Sequence, residues 1–477
     1  MTHTTTAAPL EPAKKWGAVI VLLTANFMNL IDITIVNVAL PSMQSELSAA
    51  PNMIEWIVAG YTFSFALLLL PAGRMGDLFG RRRLFASGIV IFTLASLICG
   101  LAPGIDTLIA ARVLQGLGAA IMTPQTLALV PALFPPEQRG SAFGLFALTA
   151  GLASVTGPIL GGVLIGADIF GLTWRPIFLV NIPIGILALI GALTLVPKAE
   201  GNRKLGIDFI GIVLAALAML AVLVPLVEAP SLGWQLWMAP LLILALPLGW
   251  AFVRWQMYQE ARSRPQLLPM RLLRTGPFLT GSLLNAVLFT AVPSYFFTIA
   301  LYLQSGYGLS PLDSGLTTTP FPLGVLTASA VTGWFGSRWV RWRVMGGAAL
   351  LGIGFLGQGW AVWGMGEQIS WLRMAPWFFL GGLGLGNTVS PLFQIALSAA
   401  DSNDSGSASG AVQAIRQLGI SFGIAIVGAI FFTLLGGTAA GDSETYRRAM
   451  LGAITYSSLV AGALVLSALL IPIRLQR

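Results

Sequence analysis

Two charged residues stand inside long apolar stretches of a 477-residue chain in which only 9 % of the residues are charged. Asp32 is the only charge in 16–40, and Arg112 is the only charge in 107–130. A carboxylate at the centre of a membrane helix costs about 2.5–3.5 kcal/mol on insertion scales, so its presence indicates a function or a partner. Because desolvation disfavours the charged form, Asp32 is a candidate for proton uptake and release. The alternative is a carboxylate turned toward a polar rim.

Helical rise predicts that Asp32 and Arg112 lie at similar depths. Asp32 precedes Leu40 by eight residues, about 12 Å of helix, and Arg112 follows Asp106 by six, about 9 Å. Since the two stretches cross the membrane in opposite directions, both side chains fall in its outer half. We therefore predict an Asp32–Arg112 pair in which the guanidinium tunes the protonation of the carboxyl. A static ion pair is the alternative.

A third group of charges stands in the stretch GRMGDLFGRRRLF, residues 73–85, and a faded copy follows 260 positions later at 333–345. Its glycines allow close approach of helix ends. A single carboxylate among arginines predicts a charge network that breaks and re-forms when helices slide, whereas a plain orientation signal is the alternative. The residues concerned are Gly73, Asp77, Gly80, Arg81 and Arg82.

Long apolar helices must position these groups. The chain is 56 % hydrophobic, its mean hydropathy is +0.84, and a bilayer core about 30 Å thick needs about 20 apolar residues per helix. The sequence thus predicts an all-α polytopic membrane protein with 14 transmembrane helices. The expected spans are 16–40, 53–72, 84–102, 107–130, 141–165, 175–197, 207–228, 236–257, 277–303, 313–335, 344–364, 371–396, 409–435 and 448–472.

The repeat and the charges predict the organisation. Copies separated by eight spans indicate two six-helix bundles joined by two extra helices, a plan in which the substrate site lies between the halves. The expected segments are a tail 1–15, a first bundle 16–197, a linker pair 198–276, a second bundle 277–472 and a tail 473–477. Loops assigned to one side, with both ends, carry 20 of the 26 Lys and Arg residues, which predicts cytoplasmic termini.

The sequence does not carry the residues that other classes of function require. The net charge of +8 is spread over short loops, so it indicates membrane orientation and no nucleic acid partner. The only histidine, His3, and the only cysteine, Cys99, cannot form a metal cluster or a disulfide. Nucleophile-elbow and phosphate-loop motifs are absent from the sequence, so we expect no enzyme activity and no cofactor.

Several motifs resemble the major facilitator superfamily, in particular its fourteen-helix drug:proton antiporters, over nearly the whole chain. The hairpin at 73–82 resembles the family motif G-x-L-A-D-(R/K)-x-G-R-(R/K), with Leu78 in place of a basic residue. The second copy carries Ser337 where the aspartate would stand. Further matches are 30–41 to L-D-x-T-(I/V)-V-N-V-A-L-P, 112–120 to R-x-x-Q-G-x-G-A-A, 144–162 to the antiporter motif, 174–185 and 409–426.

The resemblance implies roles for individual residues. Asp32 and Arg112 would couple proton transfer to substrate, and Asp77 would latch the outward-open state. The antiporter motif falls on Gly157, Pro158, Gly161 and Gly162, with Ala153 replacing one glycine, and it favours export over uptake. The energy source would be a proton gradient across a bacterial inner membrane, and the chain would act as a monomer.

A substrate cavity is expected between the bundles. Its candidate lining is Met28, Asn29, Glu55, Tyr61, Phe65, Gln115, Asn285, Phe289, Tyr295, Asn387, Gln394 and Arg416. For Arg416 the alternative is snorkelling to the interface, and for Glu55 a charge on the outer rim. Aromatic walls with one acid favour amphipathic, lipophilic cations or neutral drugs as substrates. A dedicated exporter of one metabolite or antibiotic is the alternative function, and a membrane-embedded enzyme or sensor is a remote one.

Overall fold

Long helices make up nearly all of the chain that the structure, a computed structural model, describes. The described residues are 12–49, 51–198, 201–202, 205–232, 234–335, 339–365, 369–398, 400–401, 404–436 and 443–471. Within these ranges the regular secondary structure is entirely helical. Helices suit this apolar sequence because each closes its backbone hydrogen bonds internally, where lipid offers no partner.

The first bundle is built from the N-terminal helices. In chain order they are α1 (Pro12–Glu46), α2 (Pro51–Phe79), α3 (Arg81–Gly100), α4 (Ile105–Leu133), α5 (Pro136–Gly166), α6 (Pro176–Leu179) and α7 (Asn181–Thr194). The short α6 continues into α7, and together they form the sixth crossing. α4 packs against α2 and α3, α1 against α5, and α7 against α3.

Two long helices and a short one connect the bundles. They are α8 (Phe209–Leu232), α9 (Met238–Ala261) and α10 (Met270–Arg274). α8 packs on α9 and also contacts α2 and α16, the latter being Ser405–Leu435 in the second bundle. α8 therefore lies against both bundles at one of their junctions, and α9 packs on α8.

The second bundle repeats the plan of the first. It contains α11 (Gly276–Leu301), α12 (Pro311–Thr318), α13 (Pro320–Phe335), α14 (Val340–Trp363), α15 (Trp371–Ser398), α16 and α17 (Ser443–Ser467). α15 packs on α13 and α14, α11 on α16, and α17 on α14. By order in the bundle, α11, α14 and α15 correspond to α1, α3 and α4.

Helix ends define two faces of the molecule. We call the end at residues 79–81, 133–136 and 404–405 the hairpin face, and the end at 100–105 and 301–311 the opposite face. Successive long helices run from one face to the other. The charge distribution alone indicates which face is extracellular and which is cytoplasmic.

Twelve helices within the described ranges are long and apolar enough to cross a membrane, with 19 to 31 residues each. The remaining two predicted spans, 313–335 and 371–396, fall on α12–α13 and on α15, which pack within the second bundle. The all-helical, two-bundle prediction is thus confirmed. The count of 14 crossings stays a prediction.

Some sequence predictions concern residues outside the described ranges. These are most of the tail 1–15, the tail 473–477 and the centre of the second hairpin copy, including Ser337. The side chain of Glu55 also lies outside the described part. Their predicted roles stay predictions.

Glycines bring the two bundles together at the hairpin face. A Cβ on Gly73 of α2 would lie 2.3 Å from the carbonyl oxygen of Gly406, and one on Gly410 would lie 2.6 Å from that of Leu69. Such distances leave no room for any side chain. On the other side of the molecule α5 packs against α13 and α15, so the bundles meet along two seams.

Candidate functional site

The carboxylate of Asp32 is fully buried in the first bundle. Its Oδ2 accepts a hydrogen bond from Arg112 Nη1 at 2.5 Å, which confirms the predicted pair. Its Oδ1 accepts from Gln115 Nε2 at 2.7 Å and from Asn181 Nδ2 at 3.2 Å. The acid is thus held by a cation and two amides from α4 and α7, and every bonded partner belongs to the first bundle.

The guanidinium of Arg112 is held as firmly as the acid. Its Nε donates to the carbonyl of Ile57 at 3.1 Å, and its Nη1 also donates to Gln115 Oε1 at 2.6 Å. Its Cζ lies 4.3 Å from the ring centroid of Tyr61 and 5.7 Å from that of Phe178. Burial of the charge is tolerated here because Asp32 supplies a counter-charge, Nε and Nη1 have acceptors, and the ring faces stabilise the cation.

Further polar groups extend this hydrogen-bonded cluster toward α3. Gln115 Nε2 and Asn181 Nδ2 also donate to Ser96 Oγ, at 2.8 and 3.4 Å. On the other flank the hydroxyl of Tyr61 donates to Asn29 Oδ1, and Asn29 Nδ2 donates to Thr123 at 3.4 Å. The acid, the guanidinium, the two amides and Ser96 thus form one hydrogen-bonded cluster, and the Tyr61–Asn29 pair meets this cluster through the ring of Tyr61 over Arg112.

Asp77 crosses from one bundle to the other. Its Oδ1 accepts from the backbone N–H of Gly406 at 2.9 Å, and its Oδ2 accepts from the N–H and the hydroxyl of Ser407 at 2.8 and 3.0 Å. These N–H groups begin α16, where the helix dipole favours a negative charge. Arg81 donates to the same carboxylate at 3.1 Å. The predicted charge network at the hairpin is therefore present and closes the hairpin face.

Asp404 is the centre of a second charge cluster that the sequence did not single out. Arg74 Nη1 lies 3.4 Å from its Oδ1, and Arg271 donates to its Oδ2. The hydrogen bond to Asp404 raises the pKa of the Arg271 guanidinium, because the charged form is the one that donates. Arg271 also contacts Asp401 at 2.9 Å. Residues from α2, the linker and the second bundle thus meet at this carboxylate.

Two other predicted hairpin residues have local roles. Gly80 has φ of 95°, a left-handed conformation that glycine adopts without strain, and this turn reverses the chain between α2 and α3. Arg82 donates to the carbonyl of Leu193 at the end of α7. Arg82 therefore fixes α3 to α7 within the first bundle and is not part of the Asp77 contact.

The antiporter motif packs α5 on α1. A Cβ on Gly157 would lie 1.9 Å from Thr34 Oγ1, and one on Gly161 would lie 3.0 Å from Ile35. Pro158 lies between them inside α5. Gly162 faces open space, with nothing within 4 Å of an added Cβ. Close packing of α5 on α1 thus explains Gly157 and Gly161, whereas nothing in the structure explains Gly162.

The cavity residues predicted in the first bundle cluster around the acid. Met28, Asn29, Tyr61, Phe65 and Gln115 are all buried. Gln115 binds Asp32 directly, and Tyr61 lies over Arg112 while stacking on Phe65 at 6.1 Å between centroids. Gln115 and Tyr61 therefore contact the charge cluster directly, and Asn29 joins it through Tyr61.

In the second bundle, aromatic rings pack where α11 meets α14 and α15. Tyr295 of α11 lies 4.9 Å from the ring of Phe355 in α14 and 6.3 Å from that of Phe378 in α15. These helices correspond to α1, α3 and α4, which carry Asp32, Ser96 and Arg112. The hydroxyl of Tyr295 has no hydrogen-bond partner.

Asn387 and Gln394 lie on one side of α15. The Cβ of Asn387 is 3.0 Å from the position of a Cβ on Gly347 in α14, and Gln394 follows two helical turns later. In contrast Phe393 stacks on Phe143 of the first bundle at 6.0 Å. This placement brings the Cβ of Asn387 beside α14, and its role in lining a cavity stays a prediction.

Sequence reasoning missed Asn181 and Ser96 as partners of Asp32, and Asp404 as a partner of two arginines. The first two could have been expected on physical grounds, because a buried carboxylate needs more hydrogen-bond donors than one guanidinium provides. Asn181 lies in the stretch WRPIFLVNIPIG, which was noted for its resemblance alone. Asp404 gave no signal, because only the fold brings it beside Arg74.

Comparisons with known proteins agree with this architecture. A relative described as a probable actinorhodin transporter of Streptomyces coelicolor is 37 % identical over 441 residues, 92 % of this chain and 76 % of that one. The multidrug resistance protein Stp of Mycobacterium tuberculosis is 32 % identical over 414 residues, 86 % and 75 % of the two chains. The solved structure of the proton:xylose symporter XylE has a TM-score of 0.65 at 13 % identity, over 94 % of this chain and 95 % of that one.

The family model that matches the chain spans both bundles and the linker helices. It is described as Major Facilitator Superfamily and covers residues 22–424. With two helical bundles, Asp32 paired to Arg112, and the hairpin bound to α16, this chain belongs to the Major Facilitator Superfamily.

Proposed function

We propose that the protein exports amphipathic small molecules across the bacterial inner membrane in exchange for protons. The observation that carries the proposal is the buried Asp32 carboxylate, bonded to Arg112, Gln115 and Asn181. An acid in this setting changes its partners when it takes up a proton, because a neutral carboxyl loses most of its attraction for the guanidinium. Protonation can therefore be coupled to a rearrangement of the first bundle.

Alternating access supplies the rest of the cycle. In the described conformation Asp77 and Asp404 tie the bundles at the hairpin face, so a central site would communicate with the opposite face. Protonation of Asp32 from that side would accompany substrate release, and proton loss on the hairpin side would reset the acid. One proton moving across 100 mV supplies about 2.3 kcal/mol for this cycle.

The direction of transport is supported by the named relatives. One is described as a transporter of actinorhodin and another as a multidrug resistance protein. Family and fold are those of transporters rather than enzymes, which removes a membrane-embedded enzyme from consideration. The excess of arginine and lysine on the hairpin side supports cytoplasmic termini, and a central site between two bundles of one chain fits a monomer.

Proton coupling is tested with purified protein in liposomes. A pH step should drive accumulation of ethidium or another amphipathic dye by the native protein, and Asp32→Asn should abolish it while insertion is retained. Asp106→Asn is the matched control, because Asp106 is an exposed acid in the first turn of α4, the helix that carries Arg112. Accumulation by Asp32→Asn at the native level would refute the coupling assignment.

A dedicated exporter of one metabolite or antibiotic is the second candidate. The relative described as a probable actinorhodin transporter favours it. A chemically varied panel of dyes and drugs decides between the two in the same liposome assay. Proton release with many unrelated compounds supports polyspecific export, whereas release with a single scaffold supports the dedicated exporter.

A further inference from the structure

Arg416 is a cation in the interior of the second bundle without a carboxylate partner in the described part of the chain. It lies on α16, eleven residues after Ser405, about 16 Å from the hairpin face at 1.5 Å per residue. Its described contact is with an aromatic ring, since its Cζ lies 4.9 Å from the centroid of Phe289. Its Nε has no hydrogen-bond partner.

The side chain of Arg416 points away from the nearest face. α11 and α16 run in the same direction, and Cβ atoms on Gly419 and Gly423 would meet Ala286 and Thr290. In this register Phe289 lies level with residue 422, six positions beyond Arg416, or about 9 Å deeper. The contact with Phe289 directs the guanidinium toward an interior ring, whereas a snorkelling arginine would extend toward the hairpin face.

By helical spacing, buried amides and a hydroxyl lie within one or two turns of Arg416 or of Phe289, the ring that Arg416 contacts. Asn285 precedes Phe289 by one turn of α11, is 0 % exposed, and has no partner for either amide atom. Ser282, one turn earlier, is also fully buried with a free hydroxyl. Gln413 precedes Arg416 by one turn of α16, and its Oε1 is unpartnered. Groups of this kind are normally hydrogen-bonded when buried, so they indicate a place where another molecule binds.

These side chains face the junction of the bundles. On α16, Ser409 donates to the carbonyl of Pro124 in α4, and Gly410 contacts Leu69 in α2. Gln413 and Arg416 lie one and two turns further along the same part of the helix. Aromatic rings border the site, because Phe296 packs on Phe321 beyond Phe289 at 4.8 Å between centroids.

We propose that Arg416, Asn285 and Gln413 form a subsite for an anionic oxygen, a carboxylate or phenolate, on an aromatic substrate. This inference rests on the proposed export function and narrows its substrate class. Among the described residues, Asp32 has its counter-charge in Arg112, whereas Arg416 has none, which leaves an unbalanced positive charge at this part of the interior. An aromatic anion would supply the missing acceptor for the guanidinium and place its ring against Phe289. Lipophilic cations, expected from the sequence, would meet like charge at this position.

Matched fluorescent probes test the subsite directly. Binding of 2-anthracenecarboxylate, its neutral carboxamide and the cationic 2-(aminomethyl)anthracene is measured by fluorescence with the purified full chain. The native protein should bind the carboxylate about tenfold or more tighter than the amide, since a desolvated charge pair discriminates by that order. Arg416→Gln should bring the carboxylate and the amide to equal affinity, and Arg416→Lys should keep part of the preference.

Control variants separate a subsite from a loss of fold. Arg254→Gln removes an arginine that also lies near an aromatic ring, that of Trp250 at 5.7 Å, but on α9 away from the bundle junction. It should leave the preference unchanged. Asn285→Leu should weaken carboxylate binding while thermal unfolding stays cooperative. An unchanged carboxylate preference in Arg416→Gln, or tighter binding of the cation by the native protein, would overturn the subsite.

The subsite and the transport function fail in different ways. If the native protein exports ethidium against a pH gradient but shows no preference among the three probes, the subsite is wrong and export stands. If the probes are discriminated through Arg416 but no compound moves with protons, the subsite stands and proton-coupled export is wrong.

Discussion

The carboxyl group of Asp32 accepts hydrogen bonds from three side chains, all of them in the first bundle. A carboxylate offers about four acceptor sites, so a proton that takes a site held by Arg112 must displace that donor. Arg112 has other acceptors in reach, the carbonyl of Ile57 and the amide of Gln115. The guanidinium can therefore release the acid without losing all its bonds, which makes the pair a switch of low cost.

Removing one charge of this pair should destabilise the protein more than removing both. Asp32→Asn leaves the guanidinium of Arg112 buried without a counter-charge, a change that costs about 3–5 kcal/mol in comparable buried pairs. The double variant Asp32→Asn/Arg112→Gln should recover much of this loss while transport stays absent. Thermal unfolding in detergent measures the difference. Equal melting temperatures for the single and double variants would show that the pair is not closed in solution.

A pH dependence is expected at the opposite face, where Arg175 and Thr173 donate to Glu46. Burial by itself would raise the pKa of Glu46, but these hydrogen bonds and the charge of Arg175 lower it below the ordinary value of 4.5. The contact should therefore stabilise the fold above about pH 4.5 and lose its effect as pH falls through the lowered pKa.

The Glu46 contact is measured as the difference in unfolding temperature between the native protein and Glu46→Gln. That difference should be constant from pH 7 to 5 and shrink below it. The effect will be small because the Glu46 side chain is 34 % exposed. A difference that grows on acidification would contradict the assigned direction.

At the scale of helices, the sequence predicted which segments cross the membrane because apolar length is a local property. It also predicted that Asp32 and Arg112 pair, since equal depth on antiparallel helices is enough for that. The sequence did not predict how each helix is rotated about its own axis. Tyr61 was placed in a cavity but lies over Arg112, and the Cβ of Asn387 lies beside α14, because these orientations depend on packing between helices distant in sequence.

Closing the hairpin face depends on the contact of two glycine-lined helices. Gly73→Ala places a methyl group where only 2.3 Å separates it from the Gly406 oxygen, and overpacking of this kind costs about 1–3 kcal/mol. We expect α2 and α16 to separate at this face. Spin labels on Arg83→Cys and Ser398→Cys, two exposed positions there, in a Cys99→Ala background should report longer distances.

The matched control for this packing prediction is Gly346→Ala. Gly346 lies in α14 with nothing within 4 Å of an added Cβ, so the label distance should stay as in the native protein. A distance distribution for Gly73→Ala that equals the control would show that the seam tolerates a side chain.

At the scale of the whole molecule, the hairpin face is held by carboxylates that each join separate parts of the chain. Asp77 joins α2 to α16, while Asp404 joins α2 to the linker through Arg74 and Arg271. The linker is bound to the same place, since Asn202 N–H donates to the Asp77 carbonyl at 2.8 Å and Arg74 to that of Leu205 at 3.2 Å. Opening this face must break contacts to three chain segments together.

Asp404→Ala should therefore increase opening of the hairpin face. Ser409 is fully buried at the bundle junction, so Ser409→Cys should react with a hydrophilic maleimide only when the bundles part. Asp404→Ala leaves Arg74, a nearly buried cation, without its carboxylate and should raise the labelling rate several-fold. Asp401→Ala is the control, because the Asp401 side chain is 68 % exposed and such surface pairs contribute about 0–1 kcal/mol. Equal rates in the two variants would remove Asp404 from the closing contact.

The position of α8 has a consequence for substrates that arrive dissolved in the bilayer. Because α8 runs along both α2 and α16, it stands between the surrounding lipid and one of the two seams. Substrate entry from the lipid on that side would require α8 and α9 to move away from the seam. Molecules partitioning from lipid therefore meet two different seams: α8 covers one, and the seam between α5 and α13 has no linker helix packed on it among the described residues.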